Sequence, residues 1–183
     1  VIFNDEKMAE KNGLEAKHRR EVIKGLFLLT PVVSSTFASF NNTFKDLLNG
    51  DIGMLLIDEA GQANLTNALG ALLRSKMAVV VGDPLQLEPV VTLPVSLNNA
   101  ILSYCEAKEE FNLLKSSAQL RADKAQKIGT YIKGSGESIW VGSPLIVHRR
   151  CANPMFEISN ETTYDDMMIL GRDGASKFAN TNM

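Results

Sequence analysis

The chain has 183 residues, 45% of them apolar and 22% charged, with a formal net charge of -2. That is long enough to bury a core without staples, too balanced for a disordered chain, and without the global basic footprint of a nucleic-acid binder, although a local groove can be basic on an acidic protein. Two distant cysteines, Cys105 and Cys151, support neither a disulfide framework nor a four-cysteine zinc site, so a reducing, cytoplasmic setting is expected. No apolar run approaches the ~20 residues a membrane helix needs, and "VIFNDEKMAEKNG" lacks the architecture of a signal peptide. The start at Val1, without an initiator Met, suggests a piece of a longer protein.

In chain order, "DEKMAEKNGLEAKHRREVIKGLFLL" favours helix and should end before Pro31. "PVVSST" reads as a short buried strand with Pro as its first residue. The helix-like "FNNTFKDLLNGD" leads to "MLLIDEA", an apolar run bounded by turn signals. In "NLTNALGALLRSK", Leu65, Leu69, Leu72 and Leu73 share one helical face, and "AVVVGDP" is the next strand. Strands without polar alternation, joined by single helices, predict a parallel sheet covered on both faces.

From about Leu97 to Lys133 the pattern is mainly helical, including "SSAQLRADKAQKIGTYIK". "GSGE" (Gly134 to Glu137) is a loop. "SIWVGSPLIVHRR" reads as a further strand, interrupted at Gly142 and Pro144, that begins a second lobe. The tail "GRDGASKFANTNM" has no apolar periodicity and is expected to fray. No internal repeat is visible.

Two apolar runs stop abruptly at acids, the first at Asp58-Glu59 and the second at Asp83. In a parallel α/β sheet ligands bind at the carboxyl ends of the strands, where these three residues would lie. An acid after a single strand serves as well to cap the next helix. The pair is harder to explain by capping. "LLIDEAGQA", one helix, then "VVVGDPLQLEPV" closely resembles motifs II and III of superfamily 1 helicases, in the branch of the nonsense-mediated-decay helicase and the replication nuclease-helicase. "PLIVHRRCANPMFEISNETTYDDMM" resembles that branch's motif IV, an apolar strand followed by an arginine, a proline and a later "SN…Y". "TPVVSSTFAS" sits where the family has its Thr-containing strand. The four segments run in the family's order from Thr30 to Met168.

The resemblance implies an α/β fold of the P-loop NTPase (RecA-like) type, an incomplete parallel sheet with helices on both faces. Residues 1–138 would form part of a first RecA-like domain with a helical insertion at about 92–134, and 139–183 the start of a second lobe or its linker. It implies a piece of an ATP-dependent DNA or RNA helicase that uses ATP and Mg²⁺ on single-stranded nucleic acid. Asp58 would hold Mg²⁺ through its water shell, Glu59 would orient or deprotonate the attacking water, and Gln86 would sense the γ-phosphate with a neutral side chain that both donates and accepts. Arg149 would be the arginine finger, its fork of donors matched to phosphate oxygens. Gln62 and Asp83 would link this site to the nucleic-acid track, with Gly82 completing the nucleotide-binding set.

Each residue has a plainer reading. Gln62 can satisfy the first turn of its helix, and Ser34, Ser35 and Thr36 can cap a turn as cheaply as contact phosphates. Arg149 and Arg150 are adjacent, so alternation would point only one inward, and choosing Arg149 rests on the resemblance. His148 reads better as a packed or surface residue than as a base, Cys151 as a small hydrophobe, and Trp140 as core before a stacking platform. No G-x-x-x-x-G-K-[ST] occurs, and "GSGES" lacks its lysine, so the Walker A loop and the last helicase motifs are expected elsewhere in the same polypeptide. The competing function is a non-catalytic scaffold that retains a degenerate form of the fold. A transporter-type ATPase would carry an "LSGGQ"-like signature before the acidic strand, and none is present.

Overall fold

The computed structural model describes residues 2–133 and 138–171. The "GSGE" segment and the tail from residue 172 lie outside them.

Helix α1 (Ile2–Leu29) forms as its composition predicts, and the Thr30 N–H closes its last turn on the Leu26 carbonyl just before Pro31. It presents Ile23 and Phe27 to a cluster of Phe40, Phe44, Leu47 and Ala71, with the Phe27 and Phe44 rings 6.0 Å apart. Two ion pairs fasten it to the following turn, an exposed one between Arg19 and Asp46 and a half-buried, two-pronged one in which Arg20 meets Asp51 at 2.5 and 2.7 Å. The Arg20 hydrogen bond, helped by the Leu48 N–H, holds the Asp51 carboxyl down to about 2. A carboxyl depressed on folding contributes stability that is present above its ordinary range and lost as pH falls through the folded value. Arg20→Met is therefore expected to lower the melting temperature at pH 7, with the gap to wild type closing as pH approaches about 2.

Residues 31–36 do not form the expected strand. They are exposed, Val32 at 82%, and among the described residues no strand pairs with them. Thr36 instead caps α2 (Phe37–Thr43), its hydroxyl accepting from the Ser39 N–H at 3.3 Å, so that helix starts earlier than the sequence suggests.

β1 (Ile52–Ile57), α3 (Leu65–Arg74) and β2 (Ser75–Val80) make the predicted strand, helix, strand unit, and the strands pair in parallel from Ile52↔Ser75 to Ile57↔Val80. Asn64 caps α3 by accepting from Thr66. At the other end Arg74 donates to the carbonyls of Leu47 and Lys45, binding the helix to the turn before β1. The buried stripe of α3 is Ala68 and Ala71 rather than the leucines, and Leu69 and Leu73 are about half exposed. Small residues let this helix lie close to β1 and α2, and Ile57, Ala60, Ala63 and Ala118 complete that core.

The sheet departs from expectation as well. Among the described residues β1 and β2 form a two-stranded sheet, and Met54, Leu56, Met77 and Val79 leave one apolar face exposed. The described residues thus show an α/β unit with one parallel strand pair, and not the wider RecA-like sheet covered on both faces.

Beyond β2 the chain is less helical than its composition suggests. α4 (Val95–Tyr104), a single 3₁₀ turn at Glu109–Phe111 and α5 (Ala118–Ala125) are followed by β3 (Gly129–Lys133) and β4 (Ser138–Gly142), an antiparallel pair. "GTYIK" is thus strand, because Thr130, Tyr131 and Ile132 find partners in Val141, Trp140 and Ile139 and β-branched and aromatic residues suit a pleated surface. The pair spans residue 138, where the sequence places a domain boundary. The run "SIWVGSPLIVHRR" divides between β4 and β5 (Val147–His148), which pairs in parallel with β6 (Ile169–Leu170) across α6 (Met155–Thr163).

Candidate nucleotide-hydrolysis site

The loops after β1 and β2 pack backbone against backbone. Val81 donates to the Ile57 carbonyl at 2.8 Å and accepts from the Ala60 N–H at 3.0 Å. A regular parallel ladder would take the latter bond from residue 59, so one extra residue bulges out at Asp58-Glu59. Glu59 has a left-handed φ of 51°, and Asp58 folds its Oδ1 back onto the Glu59 N–H at 2.9 Å. Both side chains are exposed. A non-glycine residue held in that region costs on the order of 1–3 kcal/mol, and such positions cluster at functional sites.

Two glycines allow the close approach. A Cβ on Gly61 would stand 2.6 Å from the Asp83 carbonyl oxygen, and one on Gly82 would stand 2.7 Å from the amide nitrogens of both Ala60 and Gly61. Backbone cannot swing aside as a side chain can. Gly82→Ala is therefore expected to destabilise the chain by about 1–3 kcal/mol, the usual cost of overpacking, whereas Gly53→Ala in β1, with nothing within 4 Å, changes little. Denaturant midpoints of the two variants check this.

Asp83 organises the second loop. Its Oδ1 accepts from the Leu85 N–H at 2.9 Å, and its Oδ2 accepts both from the Gln86 amide at 2.9 Å and from the hydroxyl of Tyr164, at the end of α6. Burial, then the bond to Asp83 and its charge, push the Tyr164 hydroxyl up to about 12. Tyr164 stands in the sequence only as one letter of a motif. No local pattern marks it as a partner of a residue 81 positions away.

The other residues singled out in the sequence fall into four groups. Ser34, Ser35, Thr36 and Asp58 line one cleft of about 350 Å³ together with Phe37, Phe40 and the end of β1, so these four are brought together. The Gln62 N–H closes a turn on the Glu59 carbonyl while its side chain is exposed. Arg149 and Arg150 are both exposed beyond β5, and a Cβ on Gly171 would stand 3.2 Å from Arg149 Cγ. His148 is structural, its Nε2 accepting from the Cys151 N–H at 2.9 Å and its ring 5.5 Å from that of Phe156.

Residues 4–94 match the family model described as an AAA domain. The match fits a superfamily 1 helicase-like domain of the P-loop NTPase type. It takes in Asp58, Glu59, Gln62, Gly82, Asp83 and Gln86, and stops short of Arg149 and Tyr164. Neither the curated proteins nor the solved structures yielded a match. In this AAA-like segment the exposed carboxylates at the carboxyl end of β1 suit a hydrated Mg²⁺, which keeps most of its waters. Among the described residues no three His, Cys, Asp or Glu gather as a dehydrated metal cage would require. No helix of the described residues is long and apolar enough to cross a membrane.

A layer behind the site holds the first loop in place. The N–H groups of Ala118 and Gln119, at the start of α5, donate to the carbonyls of Ala63 and Ala60. One turn on, the buried Asp123 accepts at Oδ1 from the Gly142 N–H and from Gln119 Nε2, each at 3.0 Å, and its carbonyl accepts from Trp140 Nε1. Trp140 is thereby a structural anchor packed edge-on against Tyr131. In the sequence Gln119 and Asp123 are marked only as polar residues four apart within an otherwise ordinary helix.

Proposed function

We propose that this chain is the part of an ATP-dependent helicase or translocase that carries motifs II, III and IV, working in the cytoplasm on single-stranded DNA or RNA. The observation that carries the reading is the pairing of an Asp-Glu bulge after β1 with a Gly82-Asp83 loop after β2, locked together by backbone contact at the carboxyl ends of two parallel strands. The AAA domain match over 4–94 supports it.

In this reading Asp58 holds hydrated Mg²⁺ and Glu59 orients or deprotonates the attacking water. Gln86 contacts the γ-phosphate and Arg149 supplies positive charge to the departing phosphoryl group, since phosphoryl transfer is catalysed mainly by positioning and electrostatics. Gln62 and Asp83 relate the site to the strand track, and Ser34, Ser35 and Thr36 contact the nucleic acid along the shared cleft. When bound, Mg²⁺ offsets the negative charge of the phosphates.

The chain contains no Walker A sequence, and this reading assigns the phosphate cradle to another part of the same polypeptide. The open face of Met54, Leu56, Met77 and Val79 supports that arrangement, because parallel sheets are ordinarily covered on both sides.

ATP hydrolysis by the whole gene product, with and without oligo(dT) or poly(U), tests the reading. Turnover stimulated by a single strand is the expected result. Absent turnover, or turnover indifferent to both strands, would favour the non-catalytic scaffold.

A further inference from the structure

We infer that Tyr164 is a positioning residue for Gln86, acting through the Asp83 carboxylate that both side chains share; the inference rests on the ATPase reading above. Gln86 Nε2 and the Tyr164 hydroxyl donate to the same oxygen, Asp83 Oδ2, while Oδ1 is taken by the Leu85 N–H. The orientation of the Gln86 amide is therefore set jointly by its own loop and by a residue of the 147–171 segment.

The Tyr164 end is itself held firmly. Asn160, buried in α6, accepts from the Met168 N–H at 2.9 Å and donates to the Met168 carbonyl at 3.0 Å. The Tyr164 and Asp166 N–H groups both donate to the Asn160 carbonyl, and the two residues after Tyr164 are left-handed, with φ of 50° at Asp165 and 57° at Asp166. A backbone wound this tightly does not let the tyrosine drift while α6 stays in place. The same segment carries Arg149, which precedes α6 in the chain. A displacement of α6 that draws the hydroxyl off Oδ2 removes one of three donors from Asp83 and frees Gln86 to turn. The position of the segment holding Arg149 is thus read by the residue assigned to the γ-phosphate.

The bond and the role are tested separately. In the 183-residue chain, denaturant unfolding of Tyr164→Phe, Asp83→Asn and the double variant forms a cycle. Each single change is expected to lower the folding constant about tenfold, as for a hydrogen bond to a charged group, and the second change to cost much less once the first is present. Additive losses would overturn the contact.

In the whole gene product, Tyr164→Phe is expected to lower kcat for ATP about tenfold with KM within about twofold, to blunt stimulation by oligo(dT), and to add little to Gln86→Ala, as groups acting as a unit do. An unchanged kcat, or a loss fully additive with Gln86→Ala, would leave the tyrosine as a structural tie and overturn the role. A coupled unfolding cycle in a wild-type protein that hydrolyses no ATP would instead retire the ATPase reading, and the role with it, while keeping the bond.

Discussion

Glu59→Gln is expected to lower ATP turnover of the whole gene product by about 10²- to 10⁴-fold, the usual contribution of a positioned general base. The amide keeps the size and hydrogen-bonding outline of the carboxylate but cannot take a proton. Glu59 is exposed and outside both hydrophobic clusters, so the substitution removes no packing, and glutamine meets the left-handed φ of 51° at much the same cost as glutamate. Binding of nucleotide and the unfolding midpoint should therefore stay within a few tenths of a kcal/mol of wild type, as for surface substitutions in general. Phosphate release under single-strand stimulation, measured beside nucleotide affinity, separates the effects. A variant that turns over like wild type would remove Glu59 from the chemistry, and one that loses affinity and stability together would show a damaged bulge.

Asp123→Ala should have the largest effect on stability, about 2–4 kcal/mol, because it strands the buried Gln119 Nε2 and the partly buried Gly142 N–H. It also loosens the layer that holds α5 against the Ala60 to Ala63 loop. Asp123→Asn should behave differently. Burial raises the Asp123 carboxyl above its ordinary range, against the opposing bonds from Gly142 and Gln119. An acid raised on folding binds its proton more tightly in the native state, so stability is greatest at low pH and declines as pH rises from the ordinary carboxyl range through the folded value. Asparagine keeps an acceptor for both donors and has no charge to desolvate. The expected result is an unfolding midpoint at pH 7 no lower than wild type and a flatter pH dependence above the ordinary carboxyl range of about 4. Equal damage from Ala and Asn would mean that the negative charge itself is needed.

The strand, helix, strand unit from Ile52 to Val80 was legible because its signals are local: two apolar runs, an Asn cap, and Gly-Asp turns. The long first helix was legible for the same reason, ending at a proline. The errors share a different cause. "PVVSST" has strand composition but no strand partner among the described residues, and "GTYIK" has helical neighbours but a partner in β4. The leucines of α3 form an apolar stripe, yet alanines pack closest to the sheet. Pairing and packing are relations between distant residues, and a sequence window holds only one side of each.

The candidate site divides along the same line. By itself the sequence supplied the candidates, because Asp58, Glu59 and Asp83 stand where apolar runs end and, with Gln86, fall in segments that resemble helicase motifs II and III. It also determined the two glycines, whose lack of a Cβ is a covalent fact. Only the tertiary structure decided what those groups face. The outward bulge at Asp58-Glu59 depends on which amide Val81 accepts, the neighbourhood of Ser34 to Thr36 on how an unpaired segment crosses the end of β1, and the partner of Asp83 on a tyrosine delivered from far along the chain. Side-chain chemistry travels with the residue, but a hydrogen bond needs two groups within about 3 Å, and folding alone sets that distance.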